Sequence, residues 1–143
     1  MWFRTLLIGA AIATLNFTTV FAEIVIRQDP GGRIGSYLEA AARIRAHGQR
    51  VVVDGPCLSA CTLIIAAVPR ENVCVTPRAM LGFHAAWSHG MNGRRVPNWM
   101  GTQALMANYP ENVRRWIARK GGLSPKMIFL RGRELTSFYR RCA

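Results

Sequence analysis

The chain has 143 residues, half of them hydrophobic, with 19 Lys and Arg against 7 Asp and Glu and a formal net charge of +12. That length suits one small domain around a single core, and no low-complexity tract, heptad array or internal repeat argues for anything else. The positive charge is nearly all arginine, scattered from Arg27 to Arg141 without a contiguous block. It fits a soluble surface, and it also fits anionic envelope components as partners. No zinc-finger, RNP or helix-turn-helix signature accompanies it, so no specific nucleic-acid binding is expected.

Residues 1–22 read as a secretory signal peptide. Arg4 gives a basic start, Leu6 to Leu15 an apolar stretch, and Val20 and Ala22 the small residues of a cleavage site. The stretch is short for a membrane span and Asn16 breaks it, although an uncleaved anchor is the rival reading. The remaining domain, 23–143, would then be periplasmic or secreted. It contains all four cysteines, Cys57, Cys61, Cys74 and Cys142. In an oxidising compartment these form up to two disulfides, with three connectivities open. Cys57 and Cys61 could bond to separate elements, tying a helix start to Cys74 and to the C-terminus. A C-x3-C spacing without a nearby histidine is a poor zinc site, so no metal and no cofactor are expected.

Along the chain, residues 23–28 alternate as a short strand, broken by Asp29-Pro30-Gly31-Gly32. Ser36 to His47 has helical spacing and Gly48 closes it, leaving His47 where a helix C-terminus favours a cation. Val51 to Val53 is a buried strand that feeds the Gly55-Pro56 turn. Ala60 to Val68, apolar on nearly all sides, predicts a core helix. Strands follow at 72–75 and at 80–83, the latter ending at His84. The order strand–helix–strand–helix–strand predicts an α/β fold with a mostly parallel sheet. Residues 87–98, rich in Gly, Asn, Arg and Pro, read as an exposed loop and candidate lid carrying His89. Two helices follow, near 99–108 and 110–120, with Pro110 in the first turn of the second. Leu123-Ser124-Pro125 predicts the start of a last short helix, and the tail from Gly132 is polar. Trp87 and Trp99 are groove candidates, whereas Trp116 is spaced with Val113 and Ile117 for the core.

Acyl transfer needs a nucleophile, a base and N–H donors for the oxyanion. Ser59 sits at a strand-to-helix turn, where a helix N-terminus favours developing negative charge and where an ordinary N-cap serine would also sit. His84 ends a strand expected beside the strand of Ser59. Gly31 and Gly32 follow the first strand at the same sheet edge, and the N–H of Ala60 comes directly after the serine. Asp54, at the end of the preceding strand, either orients a group in the site or caps the turn.

The stretches Asp29-Pro-Gly-Gly32, Gly55-Pro-Cys-Leu-Ser-Ala-Cys-Thr-Leu63 and Val73-Cys-Val-Thr-Pro-Arg-Ala-Met-Leu-Gly-Phe-His84 resemble the ClpP/crotonase superfamily. Within it they are most similar to the Clp protease proteolytic subunit, and to small periplasmic ClpP-like proteins of proteobacteria. The order and spacing of the glycine pair, the serine and the histidine match. The resemblance implies a minimal ClpP/crotonase-like domain with ββα-type crossovers. It implies a peptidase-type serine hydrolase acting on peptide or other acyl substrates. Ser59 would be the nucleophile, His84 the general base, and Gly31, Gly32 and Ala60 the oxyanion hole. The family's late acid falls where this chain has arginines, and Glu134 is the acid nearby. The family's N-terminal strands are largely missing, which argues against a multi-ring chamber; a homo-oligomer remains compatible. The alternative is a catalytically silent, disulfide-stapled domain that binds an envelope partner or anionic polymer.

Overall fold

A computed structural model describes residues 22–143, so the leader expectation lies almost wholly outside the described residues. The chain runs through β1 (Ile24–Ile26), α1 (Ile34–Ala46), β2 (Val51–Val53) and β3 (Pro56–Leu58). A 3-10 turn, Ser59–Cys61, leads into α2 (Thr62–Ala67), followed by β4 (Val73–Val75) and β5 (Met80–Phe83). Then come β6 (Trp87–His89), β7 (Arg95–Pro97), α3 (Trp99–Asn108) and α4 (Glu111–Arg119). The chain closes with β8 (Ile128–Arg131), α5 (Gly132–Thr136) and β9 (Arg140–Arg141).

The fold is mixed α/β. One sheet is parallel throughout, in the order β1-β2-β4-β9; a second has the order β3-β5-β8, with β3 parallel and β8 antiparallel to β5. The chain steps from the first sheet to the second twice, from β2 to β3 and from β4 to β5, with α2 crossing between. The first step is possible because residue 55 is glycine: a Cβ there would lie 1.9 Å from the Arg27 carbonyl oxygen.

Burial follows side-chain chemistry. β4 is inaccessible along its whole length and β2 at both ends, as β-branched strands covered on both faces should be. α2 buries Thr62 to Ile65, and Ala41 and Ile44 of α1 join the same core. α4 turns Val113, Trp116 and Ile117 inward and Arg114, Arg115 and Arg119 outward. Phe83 of β5 meets Tyr109 edge-on at 5.3 Å and Trp116 at 5.4 Å, joining the second sheet to the end of α3 and to α4.

The structure departs from the sequence expectations in several places. Residues 87–98 form a hairpin rather than a loop, with Trp87 opposite Pro97 and His89 opposite Arg95. Its turn is reversed by Asn92 and Gly93, both at positive φ, and its polar composition masked the strands. No helix starts at Ser124: its hydroxyl accepts from the Lys126 N–H, which closes a turn, and the chain extends into β8. The polar tail folds as α5 and β9. Ser59 is delivered by β3, in the second sheet, rather than by β2, and the regular core helix begins at Thr62. Cys57 and Cys61 bond to each other, their Cα atoms 5.3 Å apart across the turn, instead of reaching separate elements. Among the described residues no helix is long and apolar enough to cross a membrane.

The second disulfide, Cys74–Cys142, closes a sequence separation of 68 residues and holds β9 beside β4. Replacing both cysteines by alanine should lower the unfolding free energy by about 2–5 kcal/mol in urea titrations. Equal midpoints for the oxidised and substituted proteins would show that β9 is held by its ladder alone.

Candidate active site

Ser59 has φ +56, a left-handed conformation in a residue with a Cβ. Such a backbone costs roughly 1–3 kcal/mol and persists only where its surroundings enforce it. Here three constraints act together. The Cys57–Cys61 disulfide brackets the turn. The Thr62 hydroxyl donates to the Ser59 carbonyl oxygen at 2.7 Å and pairs with the Tyr109 hydroxyl, also at 2.7 Å, in a fully buried relay. Gly31 presses on the turn from the other side: a Cβ there would lie 2.5 Å from the Leu58 oxygen and 2.7 Å from the Ser59 Cβ. No side chain caps this turn, so Ser59 is not acting as an N-cap.

The glycine segment is positioned through β3. The Asp29 N–H donates to the Pro56 oxygen and the Leu58 N–H to the Asp29 oxygen, both at 2.8 Å, so residues 29–32 run alongside the strand that ends at Ser59. Gly31 takes φ +84, and its N–H donates to the Asp29 carboxylate at 2.8 Å. Tyr37 donates to the same oxygen at 2.6 Å. The Gly31 N–H is thus committed to Asp29, whereas the N–H groups of Gly32 and Ala60 have no acceptor among the described residues. Sequence reasoning missed Asp29 and Tyr37 as the clamp on this segment; the signal was an Asp two residues before a glycine, the pattern of an Asx turn.

His84 follows β5, the parallel neighbour of β3. Leu58 pairs with Gly82, so Ser59 and His84 leave the same ends of adjacent strands one residue out of step. The His84 Nδ1 lies 2.6 Å from the Ala85 carbonyl oxygen. A carbonyl only accepts, so Nδ1 is the donor, and in the neutral ring it is Nε2 that keeps the lone pair. Ser59 and His84 share no hydrogen bond in this structure. His84 lines a cleft of about 570 Å3 bounded by the β6–β7 hairpin, the start of α3 and residues 123–127, and Ser59 lies outside that lining.

The other candidates are engaged elsewhere. Glu134 accepts from the Trp116 indole N–H at 2.7 Å and faces Lys120 at 3.5 Å, fastening α4 to α5 without a hydrogen bond to His84. Asp54 caps the step between the sheets: Arg78 and the Thr76 hydroxyl hold its carboxyl below the usual carboxylate range. The His47 Nδ1 bonds the Arg43 carbonyl at the end of α1, and His89 stacks edge-on with Trp87 on the hairpin. Trp116 is core, while Trp87 and Trp99 line the cleft.

No protein-family model matches the chain. No curated protein matches it either. Among solved structures it is similar to a ClpP1 mutant from Listeria monocytogenes, with 21% identity over 81% of this chain and 69% of that one and a TM-score of 0.43. That likeness is too shallow to assign a residue role, and the site rests on its own geometry.

Two predictions follow from the clamp. Gly31→Ala should cost about 2–4 kcal/mol, because the methyl group meets the Ser59 turn and left-handed alanine is strained. Gly35→Ala, in α1 with open space around it, should instead gain about 0.5–1 kcal/mol in the same chemical denaturation experiment.

Tyr37, Tyr109 and Tyr139 are each pushed from 10.0 up to about 12, by burial in every case and at Tyr37 also by the Asp29 carboxylate. A phenol that stays neutral when folded but ionises near 10 when unfolded stabilises the fold below that pH. This stabilisation is lost as the pH climbs through the folded value. The urea midpoint should therefore fall between pH 10 and 12, with phenolate absorbance rising only as the chain unfolds; a flat midpoint across that window would contradict the assignment.

Proposed function

We propose that the chain is a ClpP-like serine hydrolase of an oxidising, extracytoplasmic compartment, acting by acyl transfer on peptide or other acyl substrates. The observation that carries this reading is the left-handed backbone of Ser59 at the end of β3, enforced by a disulfide, a glycine and a buried hydroxyl relay. Strain of this kind collects at nucleophiles mounted on strand-to-helix turns. A serine serving only as a cap would not need it.

In this reading the Ser59 Oγ attacks the acyl carbonyl carbon as its proton passes to the His84 Nε2. The N–H groups of Ala60 and Gly32 hold the oxyanion. Collapse of the tetrahedral intermediate releases the amine or alcohol, which takes the proton from His84, and water then cleaves the acyl-enzyme by the same path. The Ala85 carbonyl orients the imidazole in place of a carboxylate. It fixes the tautomer but supplies no charge to the imidazolium, so turnover should be slow relative to a triad. Contact between Ser59 and His84 tightens when substrate fills the cleft, as catalytic hydrogen bonds commonly do. The two disulfides support the extracytoplasmic placement.

A second reading, a silent binding domain, is favoured by the missing Ser59–His84 hydrogen bond and the arginine-rich surface. Fluorophosphonate labelling of the oxidised, leader-free protein separates the two. The hydrolase reading expects labelling of the parent, none in Ser59→Ala, and a loss of roughly a hundredfold or more in rate in His84→Ala. A folded parent that does not label leaves the silent domain.

A further inference from the structure

The cleft at His84 has a lining that points to one class of ligand. Trp87, Val96, Trp99, Leu123 and Met127 give it apolar walls, and Trp99 is 70% exposed. Four N–H donors of its lining are already spent within the protein. The Ala85 N–H donates to the Ser124 oxygen, the Asn98 N–H to the Ala86 oxygen, the Ala86 N–H to the Thr102 hydroxyl, and the Asn98 side chain to the Ser88 hydroxyl. A peptide backbone entering here would find none of these four donors free for its C=O groups. An alkyl chain has none to pair.

One permanent charge lines the cleft, that of Arg95. Its guanidinium stacks 4.3 Å from the centroid of the Trp87 ring, which holds it in place and leaves its N–H edge unspent. Among the described residues Arg95 has no ion pair, and the sequence has no carboxylate anywhere between Glu71 and Glu111. A fixed, unneutralised guanidinium beside an apolar slot is suited to an anion carried on a hydrophobic tail. The volume, about 570 Å3, is that of a small-molecule site.

We propose that this cleft binds a single-chain fatty-acyl amphiphile with an anionic headgroup, the chain lying against Trp87, Trp99 and Met127 and the anion held by Arg95. Binding stands apart from catalysis; that such a molecule is also turned over rests on the serine-hydrolase reading. Isothermal titration of the folded Ser59→Ala protein, with sodium decanoate and decanol each below the concentration at which they self-associate, tests it. The expected result is saturable decanoate binding that weakens about tenfold or more in Arg95→Gln and less in Arg95→Lys, with decanol binding weakly and indifferent to both. Equal affinity for decanoate and decanol, indifference of decanoate to Arg95→Gln, or no saturable binding by a protein with native circular dichroism would each overturn the proposal. Decanoate binding by a protein whose serine does not label retains the site and removes hydrolysis. Labelling without decanoate binding does the reverse.

Discussion

The backbone of one residue organises this molecule's candidate chemistry. Ser59 sits in a conformation that a residue with a Cβ avoids, and three contacts hold it there. The disulfide spans it, Gly31 packs closely against it, and a buried threonine–tyrosine pair holds its carbonyl. Tyr109 in turn packs on Phe83, which packs on Trp116. The strained turn is therefore bolted through the core to α4, and the stability of the domain keeps the serine in place.

The same packing explains how two short sheets place the site. Neither β3 nor β5 is longer than 4 residues, so their pairing alone would fix little. The step that brings β3 into place is a close backbone approach that only glycine allows. Gly55 passes under the Arg27 carbonyl, and Gly82 lies beneath Leu58 and Met127. Leu58 pairs with Gly82, and Ser59 and His84 leave the sheet together. The Asp29–Tyr37 hydrogen bond does the same for the glycine segment beside them. The His84 ring is held by the carbonyl of the adjacent Ala85, and Glu134, the acid singled out in the sequence, serves α4 instead.

The hairpin adds a second character to the molecule. Trp87, His89, Arg95 and Pro97 share one face because cross-strand partners alternate in step, and Trp87, Arg95 and Pro97 line the cleft that His84 also borders. Apolar surface that would be a liability elsewhere is concentrated here, next to a cation with no partner among the described residues.

Much of this was legible in the chain and some was not. β2 and β4 could be read from Val51 to Val53 and from Val73 to Val75 because β-branched runs bounded by turn residues have few other uses. The helices at 99–108 and 111–119 could be read because Pro110 and the spacing of Val113, Trp116 and Ile117 are local signals. Ser59, His84, Gly31 and Gly32 could be singled out by residue type and order. Local pattern could not reveal that Cys57 would close on Cys61, that residues 87–98 would pair as strands, or that the tail would add β9 beside Cys74. The first two depend on the backbone path of a turn and the third on a contact across the fold, and a strand of two or three residues has no periodicity to betray it. The candidates for chemistry were written in the sequence as residue types. The left-handed turn at Ser59, the seating of residues 29–32 beside β3 and the pairing of Thr62 with Tyr109 were decided by the tertiary structure, because each is a contact between segments distant in the chain or a backbone angle imposed by such contacts.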